Sequence, residues 1–444
     1  MTSSVVQAHR SHRGRTRKGR SNPSKDSLLI TGARIARNGR EAAPAALLIR
    51  NGRIESVLPG SANVGCLSLD PTTARLDLTG CLILPGLINA HDHLEFSLFP
   101  RLGNRIYSNA QEWAEDIYHP KQSPIRELLR VPKTVRLLFG GIRNLLSGVT
   151  TVCHHNPYEK VFDGDFPVRV VRRMGWSHSL AFSRSVRADF EQTPVGAPFL
   201  IHAGEGTDGT SRTEVHELER LGLLGPQTVL IHAVAFNDPE WDIIRRRNTR
   251  FIWCPGSNLF TLGKTISGHR LTGEVEFALG SDSALTVEGD LLDQVHLAKS
   301  LGLPPARIYD CVTISGASVL GLTDREGELS EGGVADCFVL RDDGGSPAEQ
   351  LAHLRRQDMV GVMRGGRWVL RSDLLHQQVP PSSSHLPVSY RNCRWWLSDY
   401  PGLGNHLRFA ACRSDRSIQL ASHQLVVDPQ RSSVPLPAIS WRDD

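Results

Sequence analysis

Two histidines spaced two residues apart, His91 and His93, follow an apolar run that begins at Leu82. Side chains in a β-strand alternate between the two faces, so these imidazoles point to one side and Asp92 points to the other. Two imidazoles on one face can bind one metal ion, although a pair of ordinary histidines at a strand end would look the same. If the strand is buried and parallel, the pair lies at its carboxyl end, where barrel enzymes build their active sites.

Three later apolar runs also end in polar side chains that can do chemistry. The residues at these ends are His202 with Glu205 close behind it, His232, and Asp282. A single such end could be a core residue whose hydrogen bonds are satisfied. Three of them after a His-x-His pair, all expected at the same edge of one sheet, favour a shared functional site.

A repeated alternation of helix and strand would position these ends. The segment 133–147 places apolar side chains on one helical face, and Gly148 can end that helix before the next strand. The capping-box sequence from Ser211 to Glu214 predicts the start of another helix, which we expect to run through Leu221. Strands that alternate with helices over this length predict a parallel sheet of barrel size.

The two flanks of this central region have a different character. Short apolar runs at 28–36 and 46–57 predict strands, and the Asn-Gly pair inside the second run is a strong hairpin signal. Runs at 334–340 and 359–370 are similar. We therefore expect an α/β protein with a TIM-like (β/α)8 barrel and a small β-sandwich built from both flanks. The expected domains are a basic arm at 1–27, sandwich segments at 28–81 and 326–375, the barrel at 82–325, and an extension at 376–444.

Length and composition limit the classes of protein to which this chain can belong. The chain has 444 residues, of which 40% are apolar and 22% are charged, which is typical of a globular protein with a large core. No apolar run approaches the roughly 18 residues that span a bilayer, and no signal-peptide pattern follows the first residues. We expect a cytoplasmic protein that acts on a small molecule, without a membrane partner. The eight cysteines contain no Cys-x-x-Cys pair, so we expect them to be reduced and buried.

The net charge of +5 is concentrated at the start of the chain. Residues 1–27 carry seven basic side chains and one acidic side chain, with almost no apolar content after Val6. Such a segment cannot offset the entropy of ordering, so we expect a disordered arm. Binding of a polyanion by this arm is the alternative, but the rest of the chain is nearly neutral and does not favour a nucleic-acid partner.

Taken together, the motifs resemble the amidohydrolase superfamily, and within it the branch of cytosine and guanine deaminases and triazine chlorohydrolases. The resemblance covers residues 28–372. The matching motifs are Pro-Gly-Leu-Ile-Asn-Ala-His-Asp-His at 85–93, Ser-Gly-Val-Thr-Thr-Val at 147–152, Ile-His-Ala-Gly-Glu at 201–205, Ile-His-Ala-Val at 231–234, Cys-Pro-Gly-Ser-Asn at 254–258, Gly-Ser-Asp-Ser at 280–283 and Gly-Gly-Val-Ala-Asp at 332–336. These motifs are specific for the superfamily and much less specific for a substrate.

The resemblance implies roles for particular residues. The implied ligands of one divalent ion, for which zinc is favoured and ferrous iron also suits, are His91, His93, His202 and Asp282. Such an ion lowers the pKa of water toward about 7. His232 would orient the water, Asp282 would accept its proton, and Glu205 would act as acid and base toward the substrate. Two-metal members use a lysine on the fourth strand; the chain has no lysine between Lys160 and Lys264, which favours one metal.

Some features depart from the family pattern. Only about a dozen residues separate Arg187 from the strand at Phe199, so an irregular or incomplete fourth strand stays open. Candidates for the substrate pocket are His154 and His155 after the second strand, Trp176 and His178 on the expected third, and Asn258. Beyond 375 the chain shows no periodicity, and a subunit contact, a lid and a poorly ordered extension all stay open, as does homo-oligomer formation.

The sequence therefore predicts a mononuclear metal hydrolase that deaminates an aromatic heterocyclic amine. Hydrolysis of a cyclic amide, or of another carbon–nitrogen or carbon–chlorine bond, is the alternative within the superfamily. A non-catalytic interaction module of the same fold would be expected to have lost ligands, whereas this chain keeps all four together with Glu205. Fold alone would not justify the chemistry.

Overall fold

The computed structural model describes residues 27–60, 69–273, 275–379, 385–391, 393–398 and 425–427. The strands are β1 (Ser27–Thr31), β2 (Arg34–Ala36), β3 (Ala42–Arg50), β4 (Arg53–Pro59), β5 (Ala74–Asp77), β6 (Cys81–Pro85), β7 (Leu87–Asp92), β8 (Val149–His154), β9 (Arg169–Val170), β10 (Gly175–Ser179), β11 (Phe199–Ala203), β12 (Thr228–His232), β13 (Arg250–Trp253), β14 (Phe277–Leu279), β15 (Cys337–Arg341), β16 (Met359–Arg364), β17 (Arg367–Arg371), β18 (His385–Tyr390), β19 (Cys393–Ser398) and β20 (Leu425–Val427). The expected basic arm lies outside the described residues, apart from Ser27.

The α-helices are α1 (Ala110–Ile117), α2 (Ile125–Leu129), α3 (Lys133–Leu145), α4 (Val186–Glu191), α5 (Gly209–Arg220), α6 (Asp238–Arg246), α7 (Pro255–Leu262), α8 (Gly268–Leu271), α9 (Leu291–Ser300), α10 (Pro305–Cys311), α11 (Ile314–Val319), α12 (Pro347–Ala352) and α13 (Asp373–Gln378). Short 3-10 helices lie at Leu94–Phe96, Lys160–Asp163 and Arg356–Asp358. A search of the described helices finds none with the length and apolar character needed to cross a bilayer.

Strands from both flanks of the central region pair in one sheet. Its order is β20-β18-β19-β17-β16-β15-β6-β2-β3-β1-β5, with β4 paired to β3. Strand β15 from the second flank lies antiparallel to β6 from the first, with Val339 opposite Ile83. The β3–β4 hairpin turns at Asn51 and Gly52, whose φ angles of 52° and 76° match the expected Asn-Gly turn. The domain boundaries given above stay predictions.

Two curled parallel sheets occupy the centre of the chain. One has the order β7-β8-β9 and the other β10-β11-β12-β13-β14. The sheets adjoin at one edge, where the Asp282 amide donates to the His91 carbonyl over 2.9 Å. At the other edge, His155 Nε2 lies 3.1 Å from the Ser177 carbonyl oxygen. The fold is thus mixed α/β, with parallel strands whose carboxyl ends face the same region.

The expected irregularity of the central strands lies one strand earlier than predicted. Strand β9 has only two residues, which is too short for a periodic sequence pattern, so the sequence did not reveal it. Trp176 and His178 consequently lie on the fourth parallel strand, β10, and the prediction that placed them on the third was wrong. The fourth strand pairs in parallel with β11, with Trp176 opposite Leu200.

The predicted capping box of the 211–221 helix was also wrong. Helix α5 begins at Gly209, and the side chain of Asp208 caps it by accepting from the Ser211 amide over 2.8 Å. Glu214 turns away from that helix start and accepts from the Gly204 amide over 2.7 Å. An aspartate three residues upstream therefore outcompetes the Ser-x-x-Glu pattern, and Glu214 supports the strand end that carries Glu205.

Part of the C-terminal extension continues the sheet. Strand β19 pairs antiparallel with β17 and with β18, and the chain turns between β18 and β19 at Arg391, where φ is 47°. The side chains of Trp395 and Tyr390 are buried. Sheet extension was not among the alternatives that the sequence suggested for this region, and residues 399–424 and 428–444 lie outside the described residues.

The described cysteines are free thiols, as the spacing predicted. Five of them are buried and Cys393 is half-buried, while Cys66 and Cys412 lie outside the described residues. Burial raises the pKa of the Cys153 thiol to about 12, so this group stays protonated at neutral pH.

Candidate metal centre

Three imidazoles and one carboxylate converge at the carboxyl ends of the parallel strands. His91 Nε2 lies 3.3 Å from both His202 Nε2 and Asp282 Oδ1. His93 Nε2 lies 3.6 Å from the same Asp282 oxygen. All four side chains are buried. The structure therefore brings together the four residues that the sequence singled out as ligands.

Each of three imidazoles around this centre makes a hydrogen bond through Nδ1 that points its other nitrogen inward. The pairs are His93 Nδ1 with Asn156 Oδ1 at 2.6 Å, His202 Nδ1 with the His178 carbonyl oxygen at 2.7 Å, and His232 Nδ1 with Asn258 Oδ1 at 2.7 Å. An oxygen acceptor beside Nδ1 places the ring proton there and leaves a lone pair on Nε2. Partners of this kind orient metal-binding imidazoles in proteins.

Asp92 lies on the opposite face of the same strand, as the alternation predicts. Its Oδ2 accepts from Asn144 Nδ2 over 2.8 Å and from Ser281 Oγ over 3.2 Å, and Arg143 Nη2 lies 3.4 Å away. Asn89 Nδ2 also reaches this group, at 3.3 Å. This buried polar cluster joins α3 and the last parallel strand to the strand that carries the two histidines.

Burial and mutual contact set the protonation states of the centre. Burial lowers the pKa of His91 to about 4 and the pKa of His202 well below its usual value. Burial alone would raise the pKa of Asp282, but the hydrogen bond to His91 and the surrounding imidazoles hold it well below its usual range. Neutral imidazoles and an ionised carboxylate are the forms in which these groups bind a metal.

Glu205 and His232 lie next to the four converging groups. Glu205 Oε1 is 3.4 Å from His232 Nε2, and His232 Nε2 is 3.8 Å from Asp282 Oδ2. Burial, reinforced by the negative charge of Asp282, raises the pKa of Glu205 well above its usual value. A protonated carboxyl group in this position can donate a proton to a bound molecule.

The donor set fits a divalent metal ion. Three overlapping groups of side chains have ligand atoms within 4.8 Å of one another: His91, His93, His155 and His202; His91, His232 and Asp282; and His202, Glu205 and His232. Moreover, the buried His232 Nε2 has no hydrogen-bond partner among the described residues. Nitrogen and carboxylate donors at such spacing suit zinc and neighbouring transition metals.

A cavity of about 330 Å³ opens onto this centre. Its lining residues are His93, Phe96, Ala110, Trp113, Ala114, Asn156, His178, Phe182, His202, Glu205, His232, Asp282, Ser283, Leu285 and Thr286. Among the five substrate-pocket candidates from the sequence, His178 lines the cavity. The other four lie outside the lining of this cavity.

Those four residues support the centre from behind. The His155 ring stacks on that of His202, with centroids 4.6 Å apart, and Trp176 packs edge-on against His155. His154 Nδ1 accepts from the Leu94 amide over 3.2 Å, and Asn258 contacts the His232 ring as described above. These four residues pack against the residues around the centre or hydrogen bond to them, and their contact with substrate stays a prediction.

The apolar wall of the cavity was not predicted from the sequence. Helix α1 supplies Ala110, Trp113 and Ala114, which follow the i, i+3, i+4 spacing of one helical face. That spacing was visible in the sequence. The position of α1 beside the centre was not, because it depends on a tertiary contact in which the Ala110 amide donates to the Glu205 carbonyl over 3.0 Å.

Comparisons with known proteins agree with this geometry. Residues 198–369 match the model of the Amidohydrolase family. A 5-methylthioadenosine/S-adenosylhomocysteine deaminase from Syntrophobacter fumaroxidans is 28% identical over 384 residues, which cover 71% of this chain and 84% of that protein. The chain therefore contains an Amidohydrolase family domain and is similar to deaminases over most of its length. A 5'-deoxyadenosine deaminase from Methanothermobacter thermautotrophicus is 24% identical over 380 residues, with coverage of 71% and 84%.

Solved structures give the same fold. An adenosine deaminase from Xanthomonas campestris with bound zinc aligns with a TM-score of 0.61 and 18% identity, covering 77% of this chain and 92% of that one. A variant of atrazine chlorohydrolase from Arthrobacter aurescens, complexed with zinc and atraton, aligns with a TM-score of 0.63 and 18% identity, covering 77% and 95%. The family match and the deaminase relatives confirm two predictions, the resemblance to the superfamily and a metal-dependent hydrolase of carbon–nitrogen bonds.

Proposed function

We propose that this amidohydrolase removes the exocyclic amino group of an aromatic heterocycle of the adenine type, with one zinc ion held by four protein ligands. The main observation in support of this proposal is that one cavity is lined by Glu205, His232 and Asp282 together with two of the converging histidines. The names of the relatives, which deaminate adenosine derivatives, support the substrate class.

The proposed ligands are His91, His93, His202 and Asp282. Zinc bound there would act as a Lewis acid that lowers the pKa of water toward about 7. The neutral imidazoles and the ionised aspartate need no change in protonation to bind it. Two neighbours with bound zinc support this choice of metal, and ferrous iron is the alternative.

The protein's own groups would then move the protons. His232 holds a water molecule in place through Nε2, and Asp282 accepts a proton from that water. The water oxygen bonds to the ring carbon that carries the amine, and Glu205 gives its proton to the adjacent ring nitrogen. Glu205, now ionised, takes the proton of the new hydroxyl group, and Asp282 gives its proton to the amine as the carbon–nitrogen bond breaks. Ammonia leaves, a ring carbonyl remains, and both carboxyl groups return to their starting forms.

We also propose that the two parallel sheets form one closed barrel of eight strands. The Asp282 to His91 hydrogen bond at one edge supports closure, and so does the approach of His155 to Ser177 at the other. A Cβ atom on Gly280 would lie 2.7 Å from His91 Cβ, so glycine permits this close approach.

The test uses Glu205→Gln, with Glu217→Gln on helix α5 as the matched control, because the Glu217 side chain is 41% exposed. A proton-carrying role predicts that Glu205→Gln keeps its metal and its melting temperature but loses on the order of 10²- to 10⁴-fold in kcat with an adenine-type amine. Glu217→Gln should match the wild type. Near-normal turnover in a metal-replete Glu205→Gln protein would remove deamination through this residue and leave hydrolysis of another bond as the better proposal.

The ligand assignment has a separate readout. His91→Ala and Asp282→Ala should purify with little metal, because a four-ligand site loses charge and geometry with any one ligand. His216→Ala changes a half-exposed histidine on α5 and should keep a full equivalent. A full equivalent of metal in both ligand variants would contradict the assignment.

A further inference from the structure

The cavity wall opposite the metal centre is apolar and carries no positive charge. Three of its side chains come from separate segments: Phe96 follows the His-x-His strand, Phe182 follows β10, and Leu285 follows Asp282. Helix α1 adds Trp113 and two alanines. The described residues that line the cavity include no lysine and no arginine.

Two cations outside the lining are paired with carboxylates. Arg105 Nη1 lies 2.6 Å from Glu112 Oε1, and Lys133 Nζ lies 2.7 Å from Glu95 Oε2. Arg184 is exposed and lies outside the lining, so a carboxylate would have to reach solvent to meet it. The floor of the cavity already holds two carboxyl groups, those of Glu205 and Asp282.

The part of the apolar wall formed by α1 and Phe182 is only partly covered by the described protein. None of the eight residues of α1 is buried, although Ala110, Trp113, Ala114 and Ile117 form one apolar helical face. Phe182 is 47% exposed at the edge of the cavity, where its ring lies edge-on to His178 with centroids 5.1 Å apart. Apolar surface left open beside a polar centre is typical of a ligand site whose occupant covers it.

We infer, on the basis of the proposed function, that the substrate is an uncharged heterocyclic amine with an apolar substituent, and that the cavity rejects substituents bearing a carboxylate. The amine-bearing ring would face the metal centre, and the substituent would cover Trp113 and Phe182. Burial of a carboxylate against an apolar wall without a cation is unfavourable. The volume of 330 Å³ is at the lower end for small-molecule sites, which leaves little room for a hydrated charge.

The Syntrophobacter relative is named for two substrates that differ in this substituent. 5-Methylthioadenosine carries a short, uncharged thioether, whereas S-adenosylhomocysteine carries a carboxylate and an ammonium group on the same side of the ring. The two compounds share the adenine ring and ribose, so a difference in their binding reports on the substituent alone. We expect this amidohydrolase to bind the first and to discriminate against the second.

The experiment measures equilibrium binding of both compounds to zinc-loaded Glu205→Gln by titration calorimetry. S-Adenosylhomocysteine should bind on the order of 10²-fold more weakly than 5-methylthioadenosine, because a carboxylate buried without a partner loses about that much affinity. Phe182→Arg should raise affinity for S-adenosylhomocysteine and lower it for 5-methylthioadenosine. Tyr118→Arg adds the same charge at an exposed position outside the lining and should change neither.

Equal or tighter binding of S-adenosylhomocysteine would overturn the inference, and so would failure of 5-methylthioadenosine to bind. Unchanged discrimination in Phe182→Arg would also overturn the assignment of this wall to the substituent. Ammonia release by the wild-type enzyme is measured separately. Selective binding without ammonia release would refute the proposed deamination while the inferred preference for an uncharged substituent stands.

Discussion

Replacement of Arg356 by methionine is expected to lower the free energy of unfolding by about 3–5 kcal/mol, the usual loss when one partner of a buried ion pair is removed. Arg356 Nη2 lies 2.7 Å from Asp290 Oδ1, and the two side chains are only 10% and 1% exposed. Methionine retains much of the apolar stem but supplies no charge. The carboxylate of Asp290 would then stay buried without its main partner.

The ion pair joins three distant parts of the chain. Asp290 caps helix α9 by accepting from the Leu292 amide over 3.1 Å, and Tyr390 Oη donates to its other oxygen over 3.2 Å. Arg356 also donates to the Leu146 carbonyl just after α3, over 3.1 Å. Because the cap, the C-terminal strand β18 and helix α3 depend on one charge pair, we expect its loss to weaken the whole folded unit.

The pH dependence gives a second measurement of the same effect. Burial would raise the pKa of Asp290, but Arg356 outweighs it and holds the pKa at about 2. Because the folded value lies below the unfolded value of about 3.9, the ionised group stabilises the wild type above that pH and stops doing so as the pH falls toward about 2. Without Arg356, burial should raise the folded pKa above the unfolded one. Near neutral pH, the ionised Asp290 then lowers the free energy of unfolding of the variant. On acidification Asp290 is protonated, and the difference in stability from the wild type becomes smaller.

Urea unfolding of the wild type and the variant near pH 7 and about pH 5 checks both points, with a larger difference expected near pH 7. Arg355→Met is the matched control, because Arg355 is 71% exposed and pairs with Asp358 at the surface. Its loss should stay within about 1 kcal/mol. Equal losses of unfolding free energy in Arg356→Met and Arg355→Met would refute the reasoning. A difference between Arg356→Met and the wild type that does not shrink at about pH 5 would also refute it.

Three further predictions concern the backbone and the flanks. Gly148→Ala should destabilise the protein by about 2–4 kcal/mol in thermal or urea unfolding, since φ is +84° and the new Cβ would lie 2.7 Å from the Phe338 ring. Gly225→Ala is the control, because no atom lies within 4 Å of its new Cβ, and its stability should stay near that of the wild type. Removal of residues 1–27 should leave turnover and melting temperature unchanged, and a large drop in melting temperature would contradict a disordered arm. Expression of residues 80–325 alone should yield insoluble protein with exposed strand edges, a prediction that soluble and active material would refute.

The convergence of the proposed ligand residues could be predicted from the sequence because their positions follow from strand geometry, whereas their roles were implied by the resemblance to the superfamily. His91 and His93 share a face through the period of two, and Asp92 falls on the other face, where Asn144 meets it. His202 and Asp282 lie at the ends of short apolar runs, which favour buried strands in a chain that alternates helix and strand. Parallel strands bring their carboxyl ends to one edge of a sheet, so these local patterns were enough to predict that residues from separate strands meet there.

Features that depend on tertiary contacts were not predictable in the same way. Strand β19 has three consecutive buried side chains, Trp395, Trp396 and Leu397, so no alternation marked it as a strand. Helix α5 took Asp208 as its cap because Asn109 Nδ2 also binds that aspartate, over 2.6 Å. Neither the burial of β19 nor the hydrogen bond between Asn109 and Asp208 can be inferred from spacing along the chain.

The backbone of the site is strained at the residues proposed to do the chemistry. His232 and Asp282 have φ angles of 77° and 59°, which non-glycine residues rarely adopt. Such conformations cost about 1–3 kcal/mol each and persist where surrounding contacts hold them. Here the Asp282 amide binds the His91 carbonyl, and Asn258 holds the His232 ring. The first and last parallel strands therefore fix the carboxylate against the imidazoles through the main chain, so the metal site is preorganised by the join between the two sheets.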